Sequence, residues 1–224
     1  MAKFKLNEAD KKKISAAVRQ AESTTSGEIV TAFVKESNDY AVYELTFSVI
    51  VSFIYFVVML FFLRPIAVWL PSFFWDYSAS YLVAFYGFST FVVGTLVYFL
   101  ANYAPIDRLI VPAKIQQKKV HERTLLHFME SGISYTRDRT GILIFISLLE
   151  RRVELLADSG INEKIEPKEW QNIVDHVIKG IKTGSFTENL VVAVSDCGKL
   201  LSEHFPIQKD DTNELSNEIE ELKS

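Results

Sequence analysis

Cysteine is nearly missing from this chain. Cys197 is the one thiol among 224 residues, so an internal disulfide framework is excluded. A lone thiol also suits a reducing compartment. A basic excess is missing too. Lys and Arg number 24 against 28 Asp and Glu, a net charge of −4, whereas a nucleic-acid partner would call for a basic face. The chain has no CxxC pair, no Cys-x5-Arg phosphate loop, no Gly-rich phosphate cradle, no HExxH and no GxSxG, so the common catalytic signatures are absent. Disorder is excluded from the other direction, because 49% of the residues are hydrophobic.

Charge is missing altogether from two stretches. Residues 45–63 read LTFSVIVSFIYFVVMLFFL and residues 82–101 read LVAFYGFSTFVVGTLVYFLA. About 20 apolar residues in a helix cross a hydrocarbon core of about 30 Å. Both runs are apolar all round rather than striped, and the remaining chain is too short to bury two such helices. The first begins after a charged segment, which does not fit a signal peptide. The connector, residues 64–81, carries Arg64, Asp76, two prolines, Trp69 and Trp75, rings suited to the headgroup region. A connector this short makes an antiparallel hairpin and leaves both flanking segments on one side. Arg108, Lys114, Lys118, Lys119 and Arg123 follow the second run, while the connector has Arg64 alone. The positive-inside rule then predicts a multi-pass protein of the cell inner membrane with both termini cytoplasmic.

The flanks read as one α/β body in two pieces. Asn7 is placed to cap a helix with Ile14, Ala17, Val18 and Ala21 on one face, and residues 28–35 (EIVTAFVK) read as a strand. After the hairpin, Pro112 opens a helix running to about Met129, whose Lys-rich start is either a solvated face or skims anionic headgroups. Residues 141–149 (GILIFISLL) and 153–157 (VELLA) predict a strand hairpin turned at Glu150, Arg151 and Arg152. Pro167 opens a helix striped by Trp170, Ile173, Val174, Val177, Ile178 and Ile181, ending at Gly184. Thr187 is placed to cap another, with Leu190, Val194, Cys197, Leu201 and Phe205 in line. Asn213 is placed to cap a last helix in the acidic tail. The predicted organisation is 1–40 and 105–208 as two parts of one domain, 41–104 as the membrane hairpin, and 209–224 as an acidic C-terminal helix.

Several polar residues suggest chemistry. Asp158 closes a strand, where sites collect in α/β sheets, though an Asp before Ser-Gly is also an ordinary turn residue. With Glu28 at the start of the first strand it would give oxygen ligands for a divalent cation, Ca or Mg, provided those strands run antiparallel. Arg137 and Arg139 could form a fork for phosphate, and Arg151 could contact phosphate or a partner. A solvated loop and an exposed hairpin tip are the plainer readings. The four histidines have no ligand spacing, and Cys197 reads as a buried, inert thiol.

The order of several motifs resembles a known family. Thr25–Ile29 (TSGEI), Thr140-Gly141-Ile142-Leu143-Ile144-Phe145, Glu150-Arg151-Arg152-Val153, Ala157-Asp158-Ser159-Gly160-Ile161, Trp170, His204-Phe205-Pro206 and Asn213-Glu214-Leu215 resemble the TPM-domain family. That family is named for thylakoid-lumen, photosystem-II-associated and receptor-modulating members and is described as phosphatase-like. The likeness covers roughly residues 8–40 and 113–220. It implies an α/β/α sandwich, a divalent-cation site and a phosphatase activity. The hairpin departs from members that carry a signal peptide. The expected function is therefore a membrane-anchored, cytoplasm-facing accessory module with the lipid bilayer and a membrane protein as partners. A divalent-metal-dependent phosphatase is the alternative.

Overall fold

A computed structural model describes residues 6–223. They form two compact units, one from the residues up to Asp39 with those from Ala113, the other Tyr40–Pro112.

In the first unit, α1 spans Glu8–Glu22, and Asn7 accepts the Asp10 N–H at 2.7 Å as its cap. β1 is Glu28–Val34, buried at all seven positions. In the second unit, α2 is Ala41–Phe61, α3 is Leu63–Trp69, α4 is Ala79–Ala101 and α5 is Ala104–Ile110. The first unit resumes with α6 (Ala113–Glu130), β2 (Gly141–Ser147), β3 (Arg152–Ala157), α7 (Ser159–Asn162), α8 (Gln171–Thr183), α9 (Phe186–His204) and β4 (Glu220–Leu222).

The sheet order is β3-β2-β1-β4. β1 pairs parallel with both β2 and β4, and β2 pairs antiparallel with β3. The strand before the apolar segment and the two after it therefore share a sheet. Side chains alternate across a strand, so β1 and β2 feed two cores. Ile29, Phe33, Ile142, Ile144 and Ile146 pack with Ile14 and Val18 of α1, Ile173 and Val177 of α8, and Leu190, Val194 and Leu201 of α9. Val30, Ala32, Val34, Leu143 and Phe145 pack with Val120 and Phe128 of α6 and with Ile133. Both faces of β1 and β2 are covered, which is why these strands read as continuous apolar runs.

Gly198 sets the crossing of α1 and α9: a Cβ there would stand 2.5 Å from the Ala21 Cβ. Gly184 takes the left-handed conformation (φ 77°) that ends α8, as its position after the stripe predicts. The turn between β2 and β3 has no glycine; Arg151 itself supplies the positive φ, 51°. Glu150 does not sit in an exposed turn. It is buried, accepts the Ser37 N–H at 3.0 Å and is bonded by the Ser147 hydroxyl, tying the hairpin to the end of β1.

Two expected features differ. Thr187 is not the cap of α9: the cap position is Ser185, and Thr187 is buried within the helix. The acidic tail is not a C-terminal helix. Residues 207–219 are non-helical, and β4 follows. Leu215 and Leu222 pack on the α6 side of the sheet, whereas Ile219 joins the other core. An isolated helix this short is marginal, and its closely spaced glutamates would repel. The free edge of β1, with unpaired backbone groups, offers the tail hydrogen bonds that a strand can satisfy.

The second unit is built on α2 and α4, with mean hydropathies of 2.2 and 1.8, both long and apolar enough to cross a membrane. Only 11% and 6% of their apolar windows are buried, so Phe53, Phe61, Val83, Phe91 and Phe99 lie open. The first helix begins earlier than its uncharged run and includes Glu44, which is buried and accepts from the Asn102 amide at 3.2 Å. The helices approach closely at Gly94, where a Cβ would stand 2.6 Å from the Ser52 hydroxyl. The Tyr86 hydroxyl donates to the Met59 carbonyl at 2.9 Å.

Candidate functional site

The start of β1 and the end of β3 define one end of the sheet. Glu28 is in register with Gly141, and the Asp158 N–H donates to the Gly141 carbonyl at 2.9 Å. β1 and β3 run antiparallel through β2, so Glu28 and Asp158 do reach the same end. They flank β2 rather than meet: two strand spacings separate their backbones by about 10 Å. Gly141 between them leaves room for Ile133, whose carbonyl oxygen would be 2.7 Å from a Cβ at that position.

Asp158 is occupied locally. Its Oδ1 accepts the Ser159 N–H at 2.6 Å and caps α7, while its buried Oδ2 lies 3.8 Å from Arg139. Glu28 is held differently. Its Oε1 accepts the Glu214 N–H at 3.1 Å, and its Oε2 is buried without a hydrogen bond. Burial pushes the Glu28 carboxyl above its ordinary range, against the lowering effect of the Glu214 and Leu215 N–H groups, and the charges of Glu214 and Asp211 add repulsion.

Glu22, the last residue of α1, joins it. The turn 23–27 folds back so that Glu22 Oε1 accepts the Ile29 N–H at 3.0 Å, and the Asn217 amide donates to Oε2. Burial, then the charges of Glu28 and Asp211, raise the Glu22 pKa to about 7, against the lowering effect of the Ile29 N–H. Glu22, Glu28, Thr25, Asp211, Asn213 and Asn217 line a 470 Å³ cavity, with Arg19 at its wall. Sequence reading found Glu28 here and missed Glu22, Asp211 and Asn217. The signal for Glu22 was its spacing: a Ser-Thr-Thr-Ser-Gly turn sits between two acids. The tail residues carried no such signal, because they arrive only through the docking of β4.

The arginines do not form one fork. Arg137 donates to Asp210 at 3.2 Å and Gln208 at 3.1 Å and lies 3.6 Å from Asp138, so acids and an amide occupy its guanidinium. Asp210 and Asp138 raise its pKa. Arg139, at φ 56°, leans towards Asp158, and Arg151 lies at the opposite end of the sheet. Among the described residues no three His, Cys, Asp or Glu side chains stand close enough to hold a metal ion. The oxygen-rich lining and the orphaned Glu28 oxygen suit a cation, but the spacing is not that of an assembled ion site. Cys197 is buried in the α9 stripe, and burial raises its thiol pKa.

A mixed α/β body with this strand order fits the resemblance read from its motifs. Residues 106–200 match the family model of the TPM domain, a little under half of the chain. The matched stretch begins within α5 and ends within α9, while β1 at the sheet centre lies outside it. A solved structure, the NMR structure of BA42 protein from the psychrophilic bacteria Bizionia argentinensis sp. nov., is similar at TM-score 0.59 and 19% identity, covering 99% of each chain. At that identity the likeness speaks for the fold alone. No curated protein matches the chain.

Proposed function

We propose that this chain is a membrane-anchored binding module: a two-helix transmembrane hairpin inserted after β1 holds an α/β/α body at the cytoplasmic face of an inner membrane, with both termini on that side. The anchoring reading is supported by α2 and α4, of 21 and 23 residues, each long enough to span about 30 Å of hydrocarbon. The cytoplasmic reading rests on the excess of Lys and Arg after the second span.

The binding reading is carried by Glu28. A buried carboxylate oxygen without a donor costs about 1–3 kcal/mol, which an incoming cation would offset. The cavity around it has the volume of a side-chain or small-ligand pocket, larger than one ion needs. Its natural occupant is the ammonium or guanidinium group of a partner protein, in keeping with an accessory role towards a membrane protein. The metal-dependent phosphatase alternative has less support, because Glu28 and Asp158 stand on opposite sides of β2.

The test is titration of the full-length protein with an arginine-rich peptide. Binding should strengthen as pH rises through about 7, where Glu22 ionises. Glu28→Gln should weaken it about tenfold, roughly 1.4 kcal/mol. Equal affinity for the two proteins would remove the pocket from the reading.

A further inference from the structure

The other end of the sheet has the opposite charge. β1 ends at Val34, in register with Ser147 of β2, which is in register with Arg152 of β3. The Leu149 N–H donates to the Lys35 carbonyl at 2.9 Å, and Arg152 donates to the Ala113 carbonyl at 3.2 Å. Three segments distant in sequence thus bring Lys35, Arg151, Arg152, Lys114 and Lys118 to one end of the body. Lys35, Lys114 and Lys118 are exposed and the two arginines half-exposed. Nearby acids are fewer. Glu36 and Asp39 follow β1; Glu122 is paired with Lys119 at 3.0 Å and Lys118 at 3.7 Å; and Glu150 is buried in its bonds to Ser147 and Ser37.

This basic end is also where the chain leaves for the apolar segment, after Asp39, and returns from it, at Ala113. The acids Glu22, Glu28, Asp138, Asp210 and Glu214 collect at the other end, the length of β1 away, about 20 Å. Arg19, Arg137 and Arg139 also lie at that end, beside these acids and Asp158, so acids outnumber cations there, whereas cations are in excess at the end from which the chain continues into the apolar helices.

We infer that Lys35, Lys114, Lys118, Arg151 and Arg152 form a collar that binds the phosphates of anionic lipid headgroups in the membrane holding the hairpin. Charge complementarity and the tether both favour this occupant: the hairpin delivers the collar to the bilayer at high effective concentration, and an anionic surface repels the acidic end. The inference rests on the anchoring reading. It assigns Arg151 a phosphate contact and leaves the acidic pocket facing away from the lipid.

The experiment uses the full chain in vesicles of neutral phosphatidylcholine, or with about 30% phosphatidylglycerol. A fluorophore is attached through Gln117→Cys, between Lys114 and Lys118 on α6; native Cys197 is buried and does not compete. Quenching by neutral acrylamide should fall about twofold in the anionic vesicles and recover in about 0.5 M salt, where screening acts within a few ångströms. The fourfold variant Lys35→Glu, Lys114→Glu, Lys118→Glu, Arg151→Glu should lose that protection, while a label at Asn213→Cys stays equally quenched in both vesicles. Equal quenching at Gln117→Cys in the two lipids, or protection that survives the fourfold change, would overturn the collar. Alkaline carbonate separates the two ideas: a chain that resists extraction yet shows no lipid dependence is anchored without a collar, whereas an extracted chain overturns the anchoring and the collar with it.

Discussion

Raising the pH should destabilise the α/β body through Glu22. Its carboxyl has a pKa of about 7 in the folded chain against 4.5 for the unperturbed group. Between those values the native state holds a proton that the unfolded state has released. Stability contributed by the neutral form is complete below about 4.5 and is lost as pH rises through about 7, at about 1.4 kcal/mol per pH unit. The full interval corresponds to about 3 kcal/mol, and partial solvent access brings the expected effect nearer 2 kcal/mol. For a body of this size that is about 4–8 °C in Tm. Glu28 acts in the same direction, so the wild-type profile alone does not isolate Glu22. Glu22→Gln does, because a glutamine oxygen still accepts the Ile29 N–H without charge. Thermal unfolding of both proteins in mild detergent, followed by circular dichroism, should give matching Tm values near pH 4.5 and a Glu22→Gln variant higher by about 4–8 °C at pH 8. Parallel profiles across that range would refute the account of Glu22 as a buried acid strained by its neighbours.

Other perturbations follow from the packing. Gly198→Val should push α9 from α1 at Ala21 and cost about 1–3 kcal/mol, read as a lowered denaturation midpoint. Asp158→Asn should leave stability nearly unchanged and Asp158→Ala should lose about 1 kcal/mol, since Asn caps a helix as well as Asp does; equal losses would point to a need for the charge itself. Ending the chain before Glu218 should expose the Ala32–Val34 edge of β1, speeding hydrogen exchange there and promoting association, visible by light scattering.

What the residues disclosed in advance follows the range of the forces involved. The α1 cap at Asn7, the α8 stripe and its Gly184 stop, and the two buried strands depend on neighbours within a few positions, and each was readable. Both long apolar helices were readable for the same reason, although α2 begins before its uncharged run because Glu44 finds Asn102 across the hairpin. The tail was misread because its local pattern favoured a helix while the open edge of β1, some 190 positions earlier, decided the matter. The candidate site divides along the same line. Glu28 was visible at the start of a strand; its partnership with Glu22 required the turn 23–27 to close, and the contribution of Asp211 and Asn217 required β4 to dock. Arg137 looked free for phosphate because Asp210 and Gln208, which hold it, arrive with that same tail.

Inserting an apolar hairpin between β1 and β2 is consistent with the topology of the sheet. Parallel neighbours need a crossover that starts at the end of one strand and returns to the start of the next. Here the return is made by α6, whose 18 residues rise about 27 Å and match the length of a seven-residue strand with its turns. The junction between β1 and α6 therefore falls at one end of the body, and any segment added there must bring the chain back to where it left. Two antiparallel spans meet that condition; a single span would leave β1 and β2 on opposite sides of a membrane, unable to pair in the register Glu28 to Gly141. An insertion of this kind leaves both cores and the acidic end intact. The points where the inserted segment leaves and rejoins the body therefore fall at the end that carries Lys35, Arg151 and Lys114.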